Sequence, residues 1–458
     1  MPGAWKLKLP RVMITAPASG SGKTLITCGI LQALVNRGIR TASFKCGPDY
    51  IDPMFHSRVI GMPSKNLDPY FTDEKLMRYL FARSAEKVEM SVIEGVMGFY
   101  DGIGSVVLEG STYDVSQRLK CPVILVVNCK GASLSVVPVV KGFKEYTENN
   151  IKGVILNNMS PVIFKEISKK IEEELGIAVI GYVPNVSELV LESRHLGLVL
   201  PGEIDDLKGK LNQLADVLEK TLDIDRLLDI AGEVPELEYT APKVKKLDSN
   251  LRIGLAADEA FCFTYEDNIS LLEECGAEIV RFSPIYDQKL PDGIHGLILS
   301  GGYPEMHAEA LSSNKSMLKD IRDKIENGLP CMAECGGFMY LNNEVEDSEG
   351  KFWKMVGVID AKVSNKGRLS RFGYIEIHPK GRSKILPAGC VVRGHEFHYW
   401  DSEDCGEDCE AVKSSNGRKY DCIHCSGNLV AGFPHIYYYS NPDIAYYFLK
   451  FCSEYEPI

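Results

Sequence analysis

A glycine-rich segment near the N-terminus has the residue types and spacing that bind phosphate groups. An apolar strand predicted over Val12–Ala16 leads into Pro17-Ala18-Ser19-Gly20-Ser21-Gly22-Lys23-Thr24, and a helix is predicted to follow over Thr24–Arg37. In this setting the loop N–H groups turn toward phosphate oxygens, the lysine reaches the outer phosphates, and the threonine hydroxyl holds Mg²⁺. A proline occupies the place of the first glycine of the motif. The candidate residues for binding ATP are Gly20, Ser21, Gly22, Lys23 and Thr24.

Three carboxylates follow neighbouring strands of the same half. Asp49 and Asp52 come after a strand predicted over Thr41–Lys45, and Glu94 ends a strand predicted over Met90–Glu94. Ligands bind at the carboxyl ends of strands in open α/β sheets, and an acid placed there can hold a metal ion or its water. We therefore expect these carboxylates to join the loop threonine in binding Mg²⁺. Capping of a turn is the alternative role for the two aspartates.

Cys335 has the surroundings of a nucleophile. A strand predicted at Leu329–Ala333 leads through Glu334 to this cysteine and two glycines, a sequence that fits a tight strand-to-helix turn. The helix N-terminus favours the thiolate, and the N–H groups of Gly336 and Gly302 can form an oxyanion hole. A buried structural cysteine is the alternative, and it is the role expected for the nearby Cys331.

A cysteine nucleophile needs a base, and His435 is the leading candidate because it lies late in the chain, as in class I glutaminases. That class often has a glutamate two residues after the histidine, but Tyr437 stands there. No orienting carboxylate can therefore be assigned from the sequence. His395 and His398, in a predicted strand, are rival candidates.

Four cysteines near the C-terminus form a separate pattern. The spacing is C-x3-C followed by C-x2-C, with His424 inside the second pair, and it resembles a structural zinc site. The cysteines concerned are Cys405, Cys409, Cys422 and Cys425.

The predicted elements that position these residues divide into two α/β units. In the first half, near-continuous apolar strands alternate with helices, which predicts a parallel sheet covered on both faces. We expect an ATP-binding domain at 9–229, a linker rich in proline and lysine at 230–250, and a glutaminase-like domain at 251–458. A length of 458 residues agrees with two domains.

Composition restricts the class of partner. The net charge of −12 argues against a general nucleic-acid binder. The sequence shows no signal-peptide pattern and no apolar run that could span a bilayer, so we expect a cytoplasmic protein that does not bind membranes. The 14 cysteines then indicate reduced thiols. The expected partners are small molecules, and homodimer formation is left open.

Several motifs together resemble the cobyrinic acid a,c-diamide synthase family. The resemblance runs through nearly the whole chain. It implies an α/β fold in which a P-loop domain like dethiobiotin synthetase is fused to a class I glutamine amidotransferase-like domain. The motifs are, in order, Ala16–Thr24, Lys45–Pro53, Asn66-Leu67-Asp68, Ile93–Gly102 and Glu192-Ser193-Arg194-His195-Leu196-Gly197-Leu198.

The resemblance also implies a reaction, the ATP- and glutamine-dependent amidation of the a and c carboxylates of a corrinoid, with Mg²⁺. Phosphoryl transfer from ATP agrees with this chemistry, because an acyl phosphate has a good leaving group and a carboxylate does not. The implied roles are phosphate and Mg²⁺ binding for Lys23 and Thr24, metal and nucleotide binding for Asp49, Asp52 and Glu94, and proximity to the reacting carboxylate for Asp101.

Two alternatives remain. Ni-sirohydrochlorin a,c-diamide synthase has nearly the same motifs, so the sequence does not separate the two substrates. A P-loop switch or scaffold ATPase with an inactive glutaminase-like domain belongs to a different class. Switch ATPases of the partitioning type carry a second lysine at the position of Ala18, and its absence disfavours that class.

Overall fold

A computed structural model of the chain describes residues 5–104, 106–186, 193–194, 197–198, 201–381 and 383–457. The chain divides into two compact units, Met1–Pro242 and Lys243–Ile458. This division falls inside the segment predicted as a linker. Among the described residues, no helix has both the length and the apolar character that crossing a membrane requires.

The first unit contains eleven described strands and eight described α-helices. The strands are β1 Trp5–Leu7, β2 Arg11–Thr15, β3 Thr41–Cys46, β4 Lys65–Leu67, β5 Met90–Glu94, β6 Val123–Asn128, β7 Ile151–Asn157, β8 Ala178–Val183, β9 Ser193–Arg194, β10 Gly197–Leu198 and β11 Leu237–Tyr239. The helices are α1 Lys23–Asn36, α2 Ile51–Ile60, α3 Glu74–Ala85, α4 Thr112–Arg118, α5 Val136–Glu145, α6 Pro161–Leu175, α7 Leu207–Thr221 and α8 Ile224–Gly232.

The predicted parallel sheet of the first unit is confirmed. Seven strands lie in the order β4-β3-β5-β2-β6-β7-β8, and every neighbouring pair is parallel. Strands such as β2 and β5 are buried along their whole length, which explains their unbroken apolar sequence. Because β2 is paired on both sides, the phosphate loop that follows it opens beside the carboxyl ends of β5 and β6. Sheets of this kind bind ligands at such a position.

The prediction of a linker at 230–250 is wrong for the first part of that segment, which forms regular secondary structure. Helix α8 continues to Gly232, and Leu237–Tyr239 forms a strand that pairs with β1. The reason is that Leu237 and Tyr239 alternate with an exposed residue and bury their side chains. Trp5 stacks on Tyr239 with ring centroids 5.8 Å apart. These residues therefore belong to the first unit.

The second unit contains fifteen strands and five α-helices within its described part. The strands are β12 Leu251–Ala256, β13 Ala277–Phe282, β14 Gly296–Leu299, β15 Cys331–Glu334, β16 Asn342–Glu346, β17 Phe352–Lys354, β18 Ile359–Asn365, β19 Arg371–Pro379, β20 Val392–His398, β21 Trp400–Ser402, β22 Cys409–Lys413, β23 Lys419–Cys422, β24 His424–Ser426, β25 Leu429–Gly432 and β26 His435–Tyr437. The helices are α9 Glu266–Cys275, α10 Ala308–Ser313, α11 Lys315–Glu326, α12 Gly336–Leu341 and α13 Asp443–Cys452.

The core of the second unit is a six-stranded sheet in the order β13-β12-β14-β15-β25-β24, parallel except for β24. The α/β prediction is confirmed for this sheet. Two further sheets, β23-β22-β19-β20-β26 and β17-β16-β18-β21, were not predicted, and most of their strand pairs are antiparallel. They hold His395 and His435 in directly paired positions on β20 and β26.

A buried arginine fixes the start of the central strand of the first unit. Arg11 is fully buried and donates hydrogen bonds to four carbonyl oxygens. Nε bonds to Leu119 (2.7 Å), Nη1 to Leu9 (2.7 Å), and Nη2 to Lys120 (3.3 Å) and Pro235 (3.2 Å). Removing the side chain leaves these carbonyls without their donor inside the core.

We expect Arg11→Met to lower the free energy of unfolding by about 3–5 kcal/mol, as for other broken buried polar networks. Arg40→Met is the matched control, because Arg40 forms an exposed ion pair with Glu89, and its loss should cost at most about 1 kcal/mol. Urea denaturation of the full-length chain followed by circular dichroism measures both. Equal effects of the two substitutions would contradict the assigned role of Arg11.

Candidate active sites

The phosphate loop has an open helix N-terminus at its end. Gly20 and Gly22 adopt positive φ values of 74° and 91°, and helix α1 begins at Lys23 without a side-chain cap. In contrast, Asp73 caps α3 and Ser111 caps α4 through side-chain oxygens. The first N–H groups of α1 therefore remain available for an anion.

Asn157, which was not predicted as a site residue, supports this loop. Its Nδ2 donates to the carbonyl oxygen of Ser21 at 2.9 Å. A Cβ atom on Gly22 would lie 2.4 Å from the same nitrogen, so this contact requires glycine. The asparagine ends β7, and only the order of strands in the sheet shows that β7 approaches the loop.

Lys23 and Asp101 both lie near the phosphate loop. Lys23 Nζ donates to the carbonyl oxygens of Met97 (2.6 Å) and Ala18 (3.2 Å). Burial and the neighbouring Lys45 lower the pKa of Lys23 to about 8, while Asp101 acts in the opposite direction. The Asp101 carboxylate accepts from the N–H of Gly98 at 2.9 Å. The structure thus places Asp101 within electrostatic range of Lys23.

The side chains of Thr24, Asp52 and Glu94 converge at one point. The Thr24 hydroxyl lies 2.6 Å from Glu94 Oε1 and 3.2 Å from Asp52 Oδ2. Asp49 is placed differently, because its Oδ1 accepts from the N–H groups of Ile51 (2.9 Å) and Asp52 (3.0 Å) at the start of α2. The structure gives Asp49 the capping role, and its metal role stays a prediction.

Lys45 is a further residue of this site, and it was not predicted as a site residue. Its buried ammonium lies 2.5 Å from Asp52 Oδ2 and 2.8 Å from Glu94 Oε1. His56 Nε2 lies 2.8 Å from the other oxygen of Glu94. Burial opposes ionisation of Glu94, but Lys45 and His56 outweigh it and lower the pKa of Glu94. The clue in the sequence was a charged lysine near the end of β3, a strand that is buried along its whole length.

These oxygens fit a magnesium ion. Mg²⁺ in nucleotide sites takes one or two carboxylates and completes its shell with phosphates and water. Asp52 and Glu94 already bind one cationic group, the ammonium of Lys45, and the Thr24 hydroxyl bonds to both carboxylates. In the part of the chain that the structure describes, no three His, Cys, Asp or Glu side chains form a metal cluster. A complete Mg²⁺ coordination shell here would therefore include the Thr24 hydroxyl and oxygens of the bound nucleotide.

The second candidate site is built on Cys335 at the end of β15. The cysteine adopts φ 47° and ψ −104°, and helix α12 starts at the next residue. Its N–H donates to the carbonyl oxygen of Gly432 at 2.8 Å. Burial, together with the charge of Glu305, raises the pKa of the thiol well above its usual range. The expected thiolate is therefore not favoured in the free site, and ionisation requires a base.

The glycines around the cysteine allow close contacts that a side chain would prevent. A Cβ atom on Gly336 would lie 2.9 Å from the backbone nitrogen of Gly302, and one on Gly301 would lie 2.4 Å from His435 Cε1. Cys335 and His435 thus flank the same glycine pair, Gly301–Gly302. The backbone N–H of Gly336 also hydrogen-bonds the thiol of Cys335.

His435 is buried, with an aromatic ring and a carboxylate beside it. Its ring stacks on that of His395, with centroids 5.0 Å apart and an interplanar angle of 15°. Its Nδ1 lies 4.0 Å from Glu334 Oε2. Burial, together with His395 and His398, lowers the pKa of His435. Tyr437 donates to Asp267 at 3.0 Å, so the position two residues after the histidine has a structural role.

The two rival histidines have other neighbours. His395 Nδ1 is 3.1 Å from the hydroxyl of Tyr265, and the His398 ring stacks on Phe433 at 3.9 Å between centroids. Both lie on β20, as predicted.

Comparison with known proteins assigns a domain family to each half of the chain. Residues 12–199 match the family described as CobQ/CobB/MinD/ParA nucleotide binding domain, and residues 252–442 match the CobB/CobQ-like glutamine amidotransferase domain. A cobyrinate a,c-diamide synthase of Clostridium tetani is 38% identical over 94% of this chain and 97% of its own length. Those of Caldanaerobacter subterraneus and Listeria innocua are 37% and 39% identical, over 97% and 95% of this chain and 98% and 97% of their own lengths.

The chain belongs to the cobyrinate a,c-diamide synthase family. It is a nucleotide-binding ligase that forms carbon–nitrogen bonds with glutamine as the amido donor. The predicted family and fold class are confirmed. One family-like motif, residues 192–198, falls partly outside the described residues, and only the backbones of the paired strands β9 and β10 are described there.

The four cysteines outside the family resemblance do not converge on a metal. Cys409 and Cys422 are directly opposite on β22 and β23, and Cys409 hydrogen-bonds Cys425. Cys405 instead lies 3.3 Å from Asp401 Oδ1. No metal cluster of three ligands is found among the described residues of this unit, so the zinc hypothesis gains no support.

Proposed function

We propose that this chain uses ATP and glutamine to amidate the a and c carboxylates of cobyrinic acid through acyl-phosphate intermediates. The observation that carries the proposal is the coexistence, in one chain of this family, of the converging Thr24, Asp52 and Glu94 side chains and the cysteine turn at Cys335. The first site suits carboxylate activation by ATP, and the second suits release of ammonia from glutamine.

In the first site, the residues act on the charge of the transferred phosphoryl group. The ammonium groups of Lys23 and Lys45 both lie beside the phosphate loop and neutralise negative charge as the substrate carboxylate attacks. Thr24, Asp52 and Glu94 are the residues that would hold Mg²⁺, which supplies further charge neutralisation when bound. Asp101, which lies within electrostatic range of Lys23, is proposed to lie next to the reacting carboxylate.

In the second site, the thiol of Cys335 attacks the side-chain amide of glutamine. His435 takes the thiol proton and returns a proton to the leaving ammonia, which leaves a thioester that water hydrolyses. The N–H groups of Gly302 and Gly336 are proposed to stabilise the oxyanion of each step.

The choice of substrate is tested by direct competition. We expect cobyrinic acid to be amidated with a kcat/KM at least about tenfold higher than that for nickel sirohydrochlorin, because a site shaped for one ring discriminates against the other by at least about 1.4 kcal/mol. Mass spectrometry of products from equimolar mixtures measures this ratio. A preference for nickel sirohydrochlorin would assign the chain to the alternative reaction. A cytoplasmic location and homodimer formation also stay predictions.

A further inference from the structure

The base of the glutaminase site has no orienting acid at the position usual for class I glutaminases. Tyr437 occupies that position and bonds to Asp267. A histidine that accepts a proton at one ring nitrogen needs a partner at the other, which fixes the tautomer and balances the imidazolium charge. An acid that fills this role here must come from elsewhere in the fold.

We propose that Glu334, the residue immediately before the nucleophile, positions His435 by accepting a hydrogen bond from its Nδ1–H during glutamine hydrolysis. Nε2 then faces Cys335 and receives the thiol proton, while the Nδ1 proton stays on the ring. This inference rests on the proposed glutaminase chemistry of Cys335 and adds a positioning residue to it.

The geometry places the carboxylate against the segment that holds the base. Glu334 Oε2 lies 4.0 Å from His435 Nδ1, and Oε1 accepts from the N–H of Ile436, the next residue, at 3.4 Å. Glu334 ends β15 opposite Gly432 on the parallel strand β25, three residues before the histidine. Both contacts are longer than strong hydrogen bonds. Catalytic hydrogen bonds in free enzymes often shorten only when substrate binds.

The pKa shifts of Glu334 and His435 explain why the contact between these two side chains is long before the reaction. Burial raises the pKa of Glu334 to about 8, and burial with His395 and His398 lowers the pKa of His435. Two neutral groups attract each other weakly. Above its raised pKa of about 8, Glu334 is a carboxylate, and in that form it stabilises the imidazolium that proton transfer from Cys335 creates in this buried site.

The test compares Glu334→Gln with Glu305→Gln. Glutamine at 334 keeps the size and the acceptor for Ile436 but removes the charge. Glu305 is buried too, and its charge raises the pKa of the Cys335 thiol. We expect Glu334→Gln to lower the kcat of glutamine hydrolysis roughly 10²–10³-fold with little change in KM, as for loss of an orienting acid in other triads. Ammonia-dependent amidation should stay normal, which verifies folding.

The decisive readout is the pH dependence of Cys335 alkylation by iodoacetamide, followed on the Cys335 peptide by mass spectrometry. Glu305, Glu334 and Glu396 all face this thiol. If a carboxylate only repels the Cys335 thiolate, removing its charge should lower the pH midpoint of alkylation. This is the result that we expect for Glu305→Gln. If Glu334 instead stabilises the imidazolium, and through it the thiolate, removing its charge has the opposite effect. Glu334→Gln should then raise the pH midpoint of alkylation.

A lowered midpoint in Glu334→Gln, or unchanged glutamine hydrolysis, would overturn the role of Glu334. Alkylation needs neither glutamine nor the tetrapyrrole, so this result does not depend on the identity of the substrate. Failure of Cys335→Ala to lose glutamine hydrolysis would instead overturn the proposed glutaminase site itself.

Discussion

Cys335→Ala is expected to lose glutamine-dependent amidation by at least about 10³-fold and to retain ATP-dependent amidation with ammonium salt at raised pH. The substitution removes the nucleophile at the end of β15 and leaves every residue of the phosphate loop unchanged. At raised pH more of the ammonium is present as free NH₃, which can attack an acyl phosphate without the glutaminase. Amide formation measured with each nitrogen source gives both rates.

Cys331→Ala is the matched control for this experiment. Cys331 begins the strand β15 that leads to Cys335, and it too is buried with a raised thiol pKa. We expect its substitution to change both rates by less than about threefold, because it alters packing and not chemistry. Normal use of glutamine by Cys335→Ala would show that the nucleophile is misassigned.

The structure changes the expectation for the base. A thiolate stabilised by the helix end would need His435 only partly, but burial raises the pKa of the Cys335 thiol in the free site. His435→Ala should therefore lose nearly as much glutamine-dependent activity as Cys335→Ala. Ammonia-dependent activity serves again as the measure of folding.

Glu94→Gln is expected to abolish amidation with either nitrogen source, by about 10²–10³-fold or more. The Glu94 carboxylate bonds to the Thr24 hydroxyl, the Lys45 ammonium and the His56 ring. Glutamine at position 94 keeps the shape of the side chain but has no negative charge. It can therefore neither balance the Lys45 ammonium nor bind the cation that accompanies a nucleotide. Glutamine hydrolysis by Cys335 should survive, and its release of glutamate provides the measure of folding.

Glu89→Gln is the matched control, because Glu89 precedes the same strand and its exposed carboxylate pairs with the Arg40 side chain and accepts from the Arg40 backbone N–H. We expect it to leave both activities within about twofold. Near-normal ammonia-dependent synthesis by Glu94→Gln would exclude the proposed role of Glu94.

The sequence predicted those parts of the molecule whose signals are local. The phosphate loop and the strand-to-helix turn at Cys335 each follow one buried strand, and glycines at fixed offsets mark both. The predicted strands near β2 and β5 differ from the observed ones by one residue or none. Apolar runs and turn residues are sufficient for such predictions.

Other features depend on which strands become neighbours, and this is not encoded locally. Lys45 meets Glu94 because β3 pairs with β5, with these two residues directly opposite. Glu334 meets His435 because β15 pairs with β25. The antiparallel sheets of the second unit contain short, partly polar strands such as β23, whose alternation is weak in sequence. Residue spacing alone could not reveal these partners.

The most direct test of the proposed reaction uses cobyrinic acid, ATP and glutamine labelled with ¹⁵N in the side-chain amide. High-resolution mass spectrometry of the product counts the nitrogen atoms transferred. We predict a product in which two carboxylates have become amides, both carrying ¹⁵N, that forms only when ATP is present and not with Cys335→Ala. A complete reaction mixture in which no ¹⁵N enters the tetrapyrrole, although the wild-type protein is folded and hydrolyses glutamine, would contradict the proposed function.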